Sequence, residues 1–311
     1  MAWKPLQSPI LLLIAATCLW GGNFVVGRAI VPYVPPLLLA ELRWTLALLV
    51  TLPFWGGEFW QHRRRLLQRW RPLLLLSLTG IAGFNTLLYV AVQYTSPINA
   101  ALMNSATPIL IVLVTPLMLG GRIRWGALPA MGISVTGVLW IVTRGSWEAL
   151  LGLTFNQGDL WMFLAVACWA VYTVGMKKYA GILPPRALFV TTVLAGSVIL
   201  LPFAAGEWIV RQPVIAWSPG ILAGILYIGI LASVAALTAW NAAVAAVGPS
   251  RCSGFLNLIP LFSAVFAILF TGEVLHAYHL IGALLILTGV YLMNRKPASV
   301  PRITPIGESA P

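Results

Sequence analysis

Apolar residues run through this sequence in long blocks broken by short polar stretches. Ten blocks stand out, at 9–29, 36–55, 72–93, 97–120, 125–143, 158–176, 186–205, 220–243, 250–271 and 275–294. A helix needs about 20 predominantly apolar residues to cross the hydrocarbon of a bilayer. The pattern therefore predicts an all-α membrane protein of ten transmembrane helices. Prolines open several blocks, where a missing N–H costs nothing because the first turn has no internal acceptor for it. Pro108 and Pro260 fall inside blocks and predict kinks. The first block reaches residue 30 without an Ala-x-Ala cleavage site, which predicts a retained span. Segment 297–311 carries four prolines and little apolar content, so it is expected to be a disordered tail.

Composition sharpens this reading. Sixty per cent of residues are hydrophobic and 8% are charged, against roughly 25% charged in soluble domains. Such a chain could not cover a water-facing surface. The net charge of +12 would suit nucleic acid, but the basic residues lie in short connections between apolar blocks, not on one face. That argues against a nucleic-acid partner and for orientation by the positive-inside rule. With the N-terminus in the cytoplasm, 15 of the 19 basic residues fall on the inner side. Arg28, Arg144 and Arg211 fall outside and Arg43 within a span. Both termini are expected to be cytoplasmic, in agreement with an even number of spans. Cys18, Cys168 and Cys252 show neither metal-ligand spacing nor a disulfide framework and read as small apolar side chains.

The sequence also repeats itself. A shift of 149 residues brings Trp20 onto Trp169, Val25 onto Val174, Pro35-Pro36 onto Pro184-Pro185, Leu52-Pro53-Phe54 onto Leu201-Pro202-Phe203, and Gly57-Glu58 onto Gly206-Glu207. A shift of 152 continues the match with Pro97 and Pro249, Pro108 and Pro260, and Thr136-Gly137-Val138 and Thr288-Gly289-Val290. The expected organisation is a five-helix repeat at 1–147, a second at 148–296, and the tail. Five is odd, so the second half must enter the membrane from the opposite side. Inverted repeats about an axis in the membrane plane are the architecture of many secondary transporters, with substrate near the midplane. A membrane-embedded enzyme would need clustered acids, His or Cys that are missing here. A scaffold or receptor would need a large extramembrane surface. With no P-loop, no nucleotide cofactor is expected.

Several motifs carry a resemblance to a known family. They are Trp20-Gly21-Gly22-Asn23-Phe24, Pro36 with Arg43, the stretch Tyr89 to Pro97 leading to Pro108, and Asn257-Leu258-Ile259-Pro260 followed by Gly272-Glu273, Gly282 and Gly289-Val290. The chain resembles the drug/metabolite transporter superfamily, in its ten-helix EamA-like branch, over nearly its whole length outside the tail. One departure is that Glu273 of the second repeat faces Gly121 in the first. The resemblance implies export or exchange of small metabolites, amino acids among them, across a bacterial inner membrane. Uptake or exchange of another metabolite or a drug is the alternative.

Polar side chains in a membrane are costly unless they face protein or water, so the few present can be weighed singly. Arg43 could anchor a substrate carboxylate or serve as a structural partner. Glu41 is a candidate for proton coupling, or else a solvated acid near the outer boundary. It points about 200° away from Arg43 on a helix, so the two should not pair. Asn23, Asn85, Gln93, Asn99, Asn104, Asn241 and Asn257 could each bridge helices at modest gain. Asn104 and Asn257 lie just before Pro108 and Pro260, where a kink frees backbone carbonyls, and so join the candidate site. Trp20 and Trp169 are repeat mates, each followed three residues later by Asn23 or Tyr172 on the same face. With Trp240, Tyr89 and Tyr172 they could wall a cavity that favours aromatic substrates by stacking. Helix packing is the simpler reading of all these rings. The run His62 to Arg65 is expected to be a charged inner loop that touches anionic lipid. Gly220 and Gly224 are expected to pack within the bundle, so a working monomer is expected, a dimer being the alternative.

Overall fold

The computed structural model describes residues 8–294 apart from 92, 96, 123–124, 182, 216 and 273. The expected tail at 297–311 and Glu273 therefore lie outside the described residues. Among the described residues ten helices are long and apolar enough to cross a membrane: α1 Pro9–Ile30, α2 Pro36–Gln68, α3 Trp70–Leu88, α4 Asn99–Leu119, α5 Trp125–Val142, α6 Gln157–Tyr179, α7 Pro185–Arg211, α8 Pro219–Val247, α9 Pro249–Phe270 and α10 Ala277–Asn294. Their number and order follow the apolar blocks. A short extra helix, Trp147–Leu151, connects α5 to α6.

Two expectations are corrected. The run His62 to Arg65 is not a loop, because α2 continues without a break to Gln68. Straight-chain Gln, Arg and Leu side chains are good helix formers, so charge ends the apolar stretch without ending the helix. Glu41 is not a solvated boundary acid: it is 7% exposed, packed between α2 and α7.

Local sequence explains where the helices bend. The α4 span is broken at Ala106, between a helical piece Pro97–Ser105, which starts two residues ahead of the span, and a second, Thr107–Leu119, with Pro108 in its first turn. The α9 span has a 3₁₀ stretch at Ser253–Asn257 before an α-helical segment that begins at Leu258, just ahead of Pro260. Each proline lacks the N–H an interior turn requires, so the helix restarts there. Periodicity could not foretell the π-helical segments, Ser77–Gly83 in α3 and Tyr227–Ala235 in α8. They occupy matching places in the two halves.

The packing scheme treats the halves alike. Helix α1 packs on α8 and α9, and its counterpart α6 packs on α3 and α4. Helix α2 meets the π segment of α8, and α7 meets that of α3. The pairs α2–α7 and α5–α10 join counterpart to counterpart. The last pair crosses on glycines. A Cβ added at Gly137 would sit 2.7 Å from the Gly282 carbonyl oxygen, and one at Gly289 would sit 2.6 Å from that of Ala130. Lipid tails are as apolar as leucine, so helix association in a bilayer depends on such close backbone approach.

Candidate functional site

Four helices deliver aromatic rings to one place. The Trp20 ring of α1 lies 5.5 Å from both Trp169 of α6 and Trp240 of α8. Trp169 also meets Phe84 of α3 and Tyr172 of α6, each at 5.2 Å. Trp240 and Tyr172 are fully enclosed, and Trp169 nearly so. The edge-on contact of Trp20 with Trp169 sets the positive rim of one ring against the face of the other, a favoured arrangement. Tyr172 reaches this place because Gly80 has no side chain: a Cβ there would lie 2.1 Å from the Tyr172 ring.

The π segment of α8 supplies the polar contacts. A π turn loosens the regular backbone ladder, and such turns gather at functional sites. The Trp20 indole N–H donates to the Ala232 carbonyl at 3.0 Å. At the next residue, the Ser233 hydroxyl donates to the Ile228 carbonyl five residues back and accepts from Arg43 Nε at 2.9 Å. Arg43 also lays its guanidinium over the Trp44 ring, 4.8 Å from its centroid. Asn241 donates to the Tyr172 hydroxyl at 2.9 Å. Two buried polar atoms at the rings, Asn241 Oδ1 and Trp240 Nε1, have no hydrogen-bond partner among the described residues, nor does Asn23 Oδ1, one turn beyond Trp20 on α1. Burying such a group without a partner costs about 1–3 kcal/mol.

Glu41 and Arg43 diverge as their spacing requires. Glu41 Oε1 accepts from Thr45 at 3.0 Å and from Ser197 of α7. Its second oxygen is buried with no hydrogen-bond partner among the described residues.

The structure thus brings Trp20, Trp169, Tyr172 and Trp240 together, with Asn23 on the same stretch of α1 and Arg43 reaching the neighbouring π segment. Two candidates stand apart. Asn257 is buried and donates to Ser134 of α5 at 3.0 Å, a helix-to-helix bridge. Asn104 sits at the α4 break, where its carbonyl accepts from Thr107. The Tyr89 side chain lies outside the described residues.

Sequence reasoning missed Phe84, Ser233 and Asp159. Asp159 is buried at the start of α6 and accepts from Thr95, from Asn99 at 3.0 Å and from the Asn156 backbone at 2.8 Å. The Asn-x-x-Asp spacing of 156 and 159 is a capping box and could have revealed it. Phe84 and Ser233 carry no such signal. Phe84 directly follows the first π segment and Ser233 lies within the second.

Two surface cavities of about 360 and 330 Å³ open beside Trp208 and Gln212, and beside Tyr33 and Arg211. None of the clustered rings lines either cavity.

Comparison with known proteins bears on this arrangement. The family model for EamA-like transporters matches residues 7–143 and 156–295. The uncharacterized transporter YyaM of Bacillus subtilis is 27% identical over 285 residues, 90% of this chain and 91% of its own length. A probable amino-acid metabolite efflux pump of Salmonella typhimurium is 26% identical over 90% of this chain and 93% of its own. A probable terminal-alkyne amino-acid exporter of Streptantibioticus cattleyicolor is 27% identical over 72% and 73%. A solved crystal structure superposes with a TM-score of 0.74 at 19% identity, covering 92% of this chain and 96% of that one. It shares the fold.

Proposed function

The chain belongs to the EamA-like transporter family, and from that premise we propose that it exports small metabolites, amino acids foremost and aromatic ones favoured, by alternating access. One observation carries the substrate class: rings from four helices surround buried polar atoms that lack partners. A flat side chain can replace one ring-to-ring contact with another. An ammonium group suits amide oxygens and ring faces, and the Trp240 indole N–H can donate to a carboxylate. Two relatives whose names specify amino-acid efflux or export support both direction and substrate.

The matched packing of the two halves supports inverted repeats that rock about the rings. The weight of Lys and Arg on one side supports cytoplasmic termini and an inner-membrane location. Glu41 is the candidate proton carrier. Purified protein in proteoliposomes should move radiolabelled phenylalanine, tyrosine or tryptophan faster than glycine or alanine. The same panel with and without a pH gradient tests coupling. Flux of every amino acid at the level of empty liposomes would refute the substrate class.

A further inference from the structure

Helices α2 and α7 run antiparallel, so each start lies beside the other's end. At the end bearing Arg211, Glu207 accepts hydrogen bonds from the Leu37 and Leu38 backbone amides at 2.8 and 3.1 Å. First-turn amides have no acceptor within their own helix, and a carboxylate there also meets the positive end of the helix dipole. The Glu207 side chain is only 5% exposed, with Arg211 one turn on at 3.5 Å.

The 149-residue shift carries this arrangement to the other end of the pair. Glu207 maps onto Glu58, Arg211 onto His62, and Leu37 and Leu38 onto Arg186 and Ala187, which follow Pro184-Pro185 as Leu37 follows Pro35-Pro36. The antiparallel register agrees, since Trp55 meets Phe189 at 5.3 Å one turn from Glu58. Yet the Glu58 carboxylate makes no hydrogen bond or ion pair among the described residues, while its backbone carbonyl lies 2.9 Å from His62 Nδ1. Where the Arg211 end has buried Ala40 and Ala204, this end has their large counterparts Phe189 and Trp55.

We propose that Glu207 and Glu58 are reciprocal latches. Glu207 holds the Arg211 end shut in this conformation. Glu58 closes onto the first turn of α7 when the halves exchange conformations, with Trp55 and Phe189 turning aside. A purely structural cap repeated by duplication would be engaged at both ends. One engaged and one free is what two like halves in unlike conformations produce. Opening one latch is then offset by closing the other, so the carboxylate-to-amide bonds are kept through the cycle. This inference rests on the alternating-access reading.

Spin labels test it without substrate, in a chain with Cys18, Cys168 and Cys252 replaced by alanine. Labels at Tyr33 and Val210 span one end, and labels at Arg64 and Gly181 the other. In nanodiscs, Glu207→Ala should raise the fraction of molecules open at the first pair about tenfold or more, with a matching shortening at the second. Glu58→Ala should shift both the opposite way. Leu37→Pro removes one amide donor and leaves Glu207 intact, and proline is tolerated in a first turn. It should shift both distances in the same direction as Glu207→Ala, which covers the case of a Glu207 variant that fails to fold. Unchanged distances in both variants would overturn the latches, as would opening at one end without closure at the other. Reciprocal shifts in a protein that moves no amino acid would keep the latches and remove the substrate class. Amino-acid flux with fixed distances would do the reverse.

Discussion

At the scale of single residues, rings and one carboxylate concentrate the chemistry. Trp20 and Trp169 meet edge to face, and such a contact is worth about 0.5–1.5 kcal/mol beyond burial. Trp20→Ala and Trp169→Ala should therefore cut flux of an aromatic substrate about two- to tenfold more than flux of alanine. Trp20→Phe keeps a ring while losing the indole bond to Ala232, and should recover most of the difference. Equal losses for both substrates would make these rings packing alone. Glu41→Gln is the cleanest test of coupling, because the amide oxygen can still accept from Thr45 and Ser197. The variant should insert as the parent does and lose any dependence of flux on the pH gradient. Retained dependence would move the proton elsewhere. Trp20, Trp169 and Glu41 are all legible in the sequence, since an aromatic repeat pair and a lone acid within an apolar block are conspicuous there. Phe84 and Ser233 are not, because one Phe or Ser among many apolar neighbours has no distinguishing pattern.

At the scale of elements, close approach of backbones decides which helices pair. Gly289 lets α10 settle against Ala130 and Ser134 of α5, and an added Cβ would lie 2.6 Å from backbone or side chain there. Gly289→Ala should destabilise the protein by about 1–3 kcal/mol, read as a lowered melting temperature in detergent. Gly132 lies on the same α5 helix with nothing within 4 Å of its would-be Cβ. Gly132→Ala should be neutral or slightly stabilising, since glycine costs roughly 0.5–1 kcal/mol relative to alanine in a helix interior. Equal effects of the two substitutions would show that contact at the crossing is not what holds the pair. The kinks at Pro108 and Pro260 are written in the sequence because proline acts through local covalent geometry. The π segments are not. They depend on what packs against them, such as Tyr172 on Gly80 and Leu46 on Gly229.

At the scale of the whole molecule, ten spans and a biased charge distribution give a firm expectation of topology. Cysteines introduced at Arg64 and Lys178 should react with an impermeant reagent only from the cytoplasmic side, and one at Ser146 only from outside. Labelling of Arg64→Cys and Ser146→Cys from the same face would rule out the proposed inversion of the halves. The α1 contacts with α8 and α9 reappear as α6 contacts with α3 and α4, as expected when two copies of one five-helix unit each complete the other.

The sequence alone determined the features that depend on composition and local covalent geometry. Span count follows from the length of apolar blocks against a fixed bilayer thickness, helix breaks follow from proline, and the repeat follows from matched Trp, Pro and Gly positions. Tertiary structure decided which of the many buried side chains meet. Helical period places Trp20 and Asn23 on one face, but only the crossing of α1 and α8 brings Trp240 to Trp20, and only that of α9 and α5 sets Asn257 beside Ser134. The same holds for Glu58 and Glu207. They are equivalent in sequence, yet one carboxylate caps a neighbouring helix and the other has no partner among the described residues. A helix pair can be close at one end and apart at the other, and that difference belongs to the conformation of the folded chain.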